Sequence, residues 1–176
     1  YMTHLLEDTF QTKMVSHRAG RWAFDERYAR LLVEHGYQVD CSVTPRVNWK
    51  TAKGAPQGDG GTDYRRFPQH AYFLDENDIS REGHSPLLEV PMSIQYKHSA
   101  WMNSVKQGYD RLRGKVRSPS VHWLRPMGGN VETMKKVVEQ TLTQGNDYVE
   151  YMLHSSEYMP GGIKNHSSLM PDQKDL

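Results

Sequence analysis

"VSHRAGRWAFDERYARLLVEHGYQVDCSVTP", Val15 to Pro45, holds a strand, a helix and a second strand, and the way these three are joined decides the fold. The first strand lies near Met14–Arg18 and stops abruptly on a charged residue. A helix over Phe24–His35 follows, with Phe24, Tyr28, Leu31, Leu32 and His35 spaced along one face and Gly36 as a left-handed stop. Next, Val39, Cys41 and Val43 alternate with polar neighbours across Gln38–Val43, the period of a strand. Two strands joined through a helix pair in parallel, because a tight hairpin cannot connect them.

Further apolar segments continue downstream. "LLEVPMSI" predicts a strand over Leu87–Ile94, "VHWL" one over Val121–Leu124, and "YVEYML" one over Tyr148–Leu153. A helix is expected near Met102–Arg113. Another runs through "VETMKKVVEQTLTQ", with Asn130 as its cap, Val131, Met134, Val138 and Leu142 as its apolar stripe and Gly145 as its stop. Five strands separated mostly by helices define an α/β fold. Thr44–Pro86 is the exception, rich in Gly, Pro and Asp and too long for a simple connection. It reads as an excursion with a short hairpin around "YRRFPQHAYFL" rather than as a second domain, so residues 1–176 are expected to form one domain. "NHSSLMPDQKDL" reads as a polar tail.

Composition narrows the function classes. At 176 residues, with 36% hydrophobic and 24% charged positions, the chain can bury a sizeable core. Its net charge of +1 argues against a general nucleic-acid binder. A single cysteine, Cys41, excludes an intramolecular disulfide and a cysteine-rich zinc site. No apolar run is long enough to cross a membrane. The start, "YMTHLLEDTF", reads as the middle of a helix, without the basic and apolar segments of a secretory signal. Part of a longer protein is therefore expected to be missing before Tyr1; localisation stays open, with a cytoplasmic setting favoured.

In parallel α/β sheets, functional groups gather beyond the carboxyl ends of the strands. Those positions are Arg18, Ser42, Ser93, Arg125 and His154, with Trp22 and Glu157 a little further on. Each also has a plain structural reading. Arg18 and Arg125 can pair with carboxylates for structure alone. His154, after "YML", can be a hydrogen-bonded core histidine. Trp22 and Trp123 can be core or cleft-edge residues, and Glu157 can cap or solvate its loop. Other motifs fail: "KGAPQGDGG" lacks the Gly-Lys-Ser/Thr ending of a phosphate loop, and the nine histidines show no helical metal-ligand pair.

As a set, "SHRAGRWAFDERYARLLVEHGYQVDCSVTP", "SPLLEVPMS", "HWLRP" and "YMLHSSEYMPGG" resemble NodB-homology polysaccharide deacetylases, carbohydrate esterase family four. The resemblance is to the subgroup encoded in bacterial O-antigen clusters and covers most of Met14–Gly162. It implies a distorted (β/α) barrel, commonly seven-stranded, of which the first two strands would be absent here. The implied activity is metal-assisted hydrolysis of N-acetyl groups on sugars of a surface polysaccharide. In such an enzyme a divalent ion, usually zinc, is held by one aspartate and two histidines while a second aspartate acts as base. By resemblance Arg18 orients that base and His154 is the general acid, while Trp22, Trp123, Arg125 and Glu157 are candidates for contacting the sugar.

The sequence has no Asp-Asp motif of the Thr-Phe-Asp-Asp-Gly type and no His-x-x-x-His, and "HWLRP" lacks the matching aspartate. No metal ligand is therefore expected within this chain, which alone should be inactive; zinc or another divalent ion belongs to the complete parent. The competing reading is a non-catalytic carbohydrate-binding or scaffold protein that keeps the barrel without the reaction. The expected partner in both is an N-acetylated sugar or polysaccharide. The sugar, its linkage and the oligomeric state stay open.

Overall fold

The structure is a computed structural model describing residues 2–53, 57–99, 102, 103, 105, 109, 112, 120–126 and 130–154. The chain divides into two compact units, Tyr1–Pro91 and Met92–Leu176.

The first unit opens with helix α1 (Met2–Phe10), followed by β1 (Ser16–His17), α2 (Glu26–Glu34) and β2 (Val39–Asp40). The hairpin strands β3 (Tyr72–Asp75) and β4 (Asp78–Glu82) come next, then β5 (Leu88–Glu89). These five strands form one sheet in the order β1-β2-β5-β3-β4. The first three are parallel, Ser16 opposite Val39 and Val39 opposite Leu88, as the strand–helix–strand reading expects. β3 then pairs antiparallel with both β5 and β4.

The excursion is thus woven into the sheet. Its hairpin lies further along than expected, turning at Glu76–Asn77, where Asp75 accepts the Asn77 N–H at 2.9 Å. The "DEND" run carries the turn chemistry. Tyr64, from a short helical turn at Tyr64–Arg66, is fully buried beside Phe24, Leu74 and Leu87.

Helix α2 is capped by Asp25, whose carboxylate accepts the Tyr28 N–H at 2.8 Å, and Gly36 follows it at φ 77°. Its buried face differs from the expected one. Ala29 and Leu32 are buried, whereas Tyr28 and Leu31 are more than a third exposed. Counting large apolar residues overlooked Ala29, whose small side chain brings the helix close to its support.

The second unit pairs β6 (Ile94–Tyr96) with β7 (Val121–Trp123) in antiparallel fashion, with α3 (Val131–Thr143) beside them. Three expectations change here. The strand expected over Leu87–Ile94 is split in two across "VPMS", where Pro91 has no N–H to donate to a ladder. The segment Tyr148–Leu153 is not a strand; it is tied down by isolated bonds, Ser93 N–H to Glu150 O (3.4 Å) and Met152 N–H to Leu124 O (3.2 Å). Finally, α3 buries Val137 and Thr141, while Val131 and Leu142 of the expected stripe are about half exposed. Asn130 does precede α3, but its side chain donates to Arg125 O (2.9 Å) instead of capping the helix. In the expected 102–113 helix, the described residues 102, 103, 105, 109 and 112 are helical.

Candidate functional site

Arg18 is the first residue beyond β1. It is exposed, its Nε–H donates to Cys41 O (3.2 Å) just beyond β2, and its guanidinium carbon lies 5.7 Å from the centre of the Trp22 ring. The cation is thus held against the edge of the sheet and over an aromatic face. Trp22 sits in an unusual turn: Arg21 and Trp22 have φ of 56° and 58°, left-handed values that disfavour bulky side chains. The turn is pinned from the excursion, since Tyr64 OH donates to Trp22 O at 2.7 Å and lies 3.2 Å from Phe24 O. Burial raises the Tyr64 pKa well above its usual value, so the phenol keeps the proton it donates.

Behind Arg18 is a polar cluster of which the sequence reading singled out only Ser42 among the strand-end positions. Asp40 and Ser42, expected on the outward side of an alternating strand, are fully buried, as is Glu89 of β5. His17 Nδ1–H donates to the acceptor-only carboxylate of Asp40, Oδ1, at 2.6 Å, and His17 Nε2 is hydrogen-bonded to Tyr28 OH at 3.1 Å. Ser42 donates twice to Asp40, through Oγ–H to Oδ1 and N–H to Oδ2, both at 2.9 Å, and its Oγ accepts the Ala19 N–H at 2.7 Å. Glu89, opposite Asp40 in register, accepts the Val43 N–H at 2.9 Å. Burial, and then the negative charge of Asp40, push the Glu89 pKa well above the usual carboxylate range. The available signal was a charged residue inside each apolar strand, "VDCSV" and "LLEV".

In the second unit, Ser93 comes just before β6 rather than at the end of a strand. Because β7 runs antiparallel, its far end still meets this position: Leu124 N–H donates to Ser93 O (3.0 Å) and Glu150 N–H to Ser93 Oγ (2.9 Å). Trp123 ends β7 half-buried, and Arg125 N–H donates back to Trp123 O at 2.9 Å. His154 is exposed, two residues beyond the Met152–Leu124 bond. The structure therefore draws the chain around Ser93, Leu124 and Glu150 together, with Arg125 and His154 close in sequence to these bonds. Glu157 lies outside the described residues, as does the polar tail. His122, opposite Gln95 in the β6–β7 ladder, has a pKa lowered by burial and then by Lys97, His98 and Lys136. An open apolar groove of about 360 Å³ is lined by Leu124, Val131, Met134, Val138 and Tyr151, with Lys135 and Glu139 also on its walls.

Among the described residues, no three His, Cys, Asp or Glu side chains converge to hold a metal ion. These residues therefore do not fit the divalent ion that the family resemblance implies. No helix among them is long and apolar enough to cross a membrane. Comparison with family models, with curated proteins and with solved structures finds no match for this chain.

Proposed function

We propose that this chain is part of a polysaccharide deacetylase domain, built on the distorted (β/α) barrel, that removes N-acetyl groups from sugars of a bacterial surface polysaccharide such as an O-antigen. The observation that carries the reading is the setting of Arg18: an exposed guanidinium immediately past a parallel strand, bonded to the end of the next strand and lying over Trp22. A planar cation fixed in this way can orient a carboxylate and keep it ionised, the state a general base needs. His154, exposed at the end of "YML", would protonate the leaving amine. Trp22, Trp123 and Arg125, with Glu157, offer aromatic and polar groups for a sugar. The base and any metal ligands would come from residues outside those described.

The test is deacetylation of N-acetylated oligosaccharides by the full-length protein. Wild type should release acetate, and His154→Ala should lower turnover by about 100-fold to 10,000-fold, the usual worth of general acid–base catalysis. An active wild type with an unimpaired His154→Ala variant refutes the general-acid role. Saturable binding of the same sugars without acetate release, in metal-loaded protein, would transfer the conclusion to the non-catalytic carbohydrate-binding reading.

A further inference from the structure

We propose that Asp40 is a positioning residue for Arg18, gripping the chain on both sides of it. The Asp40 carboxylate is fully buried at the end of β2, beside the end of β1. It acts on the neighbours. On one side it holds the His17 ring at 2.6 Å; on the other it accepts from Ser42 Oγ–H, whose oxygen in turn accepts the Ala19 N–H at 2.7 Å. Residues 17 and 19 are thereby fastened to one carboxylate, and the residue between them has its backbone direction set before its side chain meets Cys41 O and Trp22.

The arrangement has the features of a support rather than of a second reactive centre. Every described oxygen of Asp40 already accepts a hydrogen bond, with Oδ2 taking the Ser42 N–H, so both oxygens are engaged. Glu89 lies opposite in the ladder and Val43 N–H anchors its carboxyl, which closes the cluster from the β5 side. A buried carboxylate with three donors of fixed direction is rigid, and a rigid support is what a guanidinium needs if its fork is to stay aligned with another carboxylate. The catalytic consequence rests on the deacetylase reading; the mechanical grip does not.

Two measurements on the full-length protein separate these levels. The first is the Arg18 Nε–H signal by ¹⁵N nuclear magnetic resonance, with its exchange rate against solvent. Asp40→Asn and the milder Ser42→Ala should both remain folded or, at minimum, Ser42→Ala should, and Arg18 Nε–H should exchange at least several-fold faster, by about tenfold for a lost bridging bond. An unchanged Arg18 signal in a folded variant overturns the grip, whether or not the protein is an enzyme. The second is kinetic. Asp40→Asn should lower kcat by about tenfold to 100-fold, the scale of a misplaced catalytic group, with KM little changed. It should also move the pH profile in the same direction as Arg18→Ala, and the double variant should be no slower than Arg18→Ala alone. Effects that multiply in the double variant would show that Asp40 acts independently of Arg18 and overturn the positioning role. A wild type without activity would sink the deacetylase reading and leave the exchange measurement to decide the grip.

Discussion

Glu89 illustrates how one residue ties the pH response of the protein to its architecture. Its carboxyl is buried opposite Asp40, so the folded state holds its proton to a higher pH than the unfolded state does. The folded chain therefore binds the extra proton between the ordinary glutamate range and the raised value. Below that window Glu89 is neutral in both states and costs nothing. Across it, rising pH favours the unfolded chain by about 1.4 kcal/mol per pH unit for this one group. Glu89→Gln retains an oxygen for the Val43 N–H and removes the titration. Denaturant melts of both proteins should show Glu89→Gln gaining on wild type as pH rises from about 4 towards neutrality. A constant difference over that range would mean that Glu89 ionises normally in the fold.

At the level of elements, the joins matter more than the lengths, since β1, β2 and β5 are only two residues each. One join passes through the glycine-rich stretch that resembles a phosphate loop in composition alone. Gly60 has φ 89°, and a Cβ there would lie 2.0 Å from Lys50 O; Gly61 N–H donates to Trp49 O at 2.9 Å. These glycines let two backbone segments touch, a structural use of the residues. Gly60→Ala should therefore cost about 2–4 kcal/mol through backbone strain and overlap. Its thermal midpoint should fall by about 4 °C or more. A midpoint within about 1 °C of wild type would show that the contact is dispensable.

The same scale shows why some of the architecture was readable and some was not. The α2 stop was legible because Gly36 carries local chemistry that acts within one turn, whereas the start was placed at Phe24, two residues ahead of the helix that Asp25 caps. The parallel pairing of β1 and β2 followed from the intervening helix. By contrast, the face of α2 depended on how near Ala29 could approach its neighbours, and Val131, Met134 and Val138 of the expected α3 stripe line an open groove instead of a core. Such outcomes are set by tertiary packing, which a single helix's periodicity does not contain. For the site, Arg18 and Trp22 were legible as strand-end residues and do come together. Asp40 was not, because alternation assigns a polar residue in a strand to solvent, and here that face is the interior.

For the molecule as a whole, the deacetylase reading, which places the metal ligands apart from Arg18 and His154, makes a distinct prediction. If the ion is held by residues outside those described, His154→Ala and Arg18→Ala in the full-length protein should keep the metal content of wild type by elemental analysis while turnover falls. On the deacetylase reading, Arg18→Ala should further show partial recovery at higher pH, because loss of the guanidinium would raise the pKa of the base carboxylate that Arg18 is proposed to orient. Loss of bound metal in His154→Ala would instead make that histidine a ligand and reassign its role.

The Tyr64 hydroxyl joins the Trp22 turn to a residue 42 positions later in the chain. A left-handed bend in two successive large residues is not favoured locally, so the bend has little reason to persist until the excursion has folded back to hold it. In folding time, then, the floor of the site and its rim belong to different stages. The helix and its short-range cap can form early, whereas Trp22 must wait for a contact of long sequence separation. Tyr64→Phe would leave the early steps alone and chiefly speed the departure of the rim. A newly made chain would have its strand and helix in place well before the Trp22 rim took its final shape.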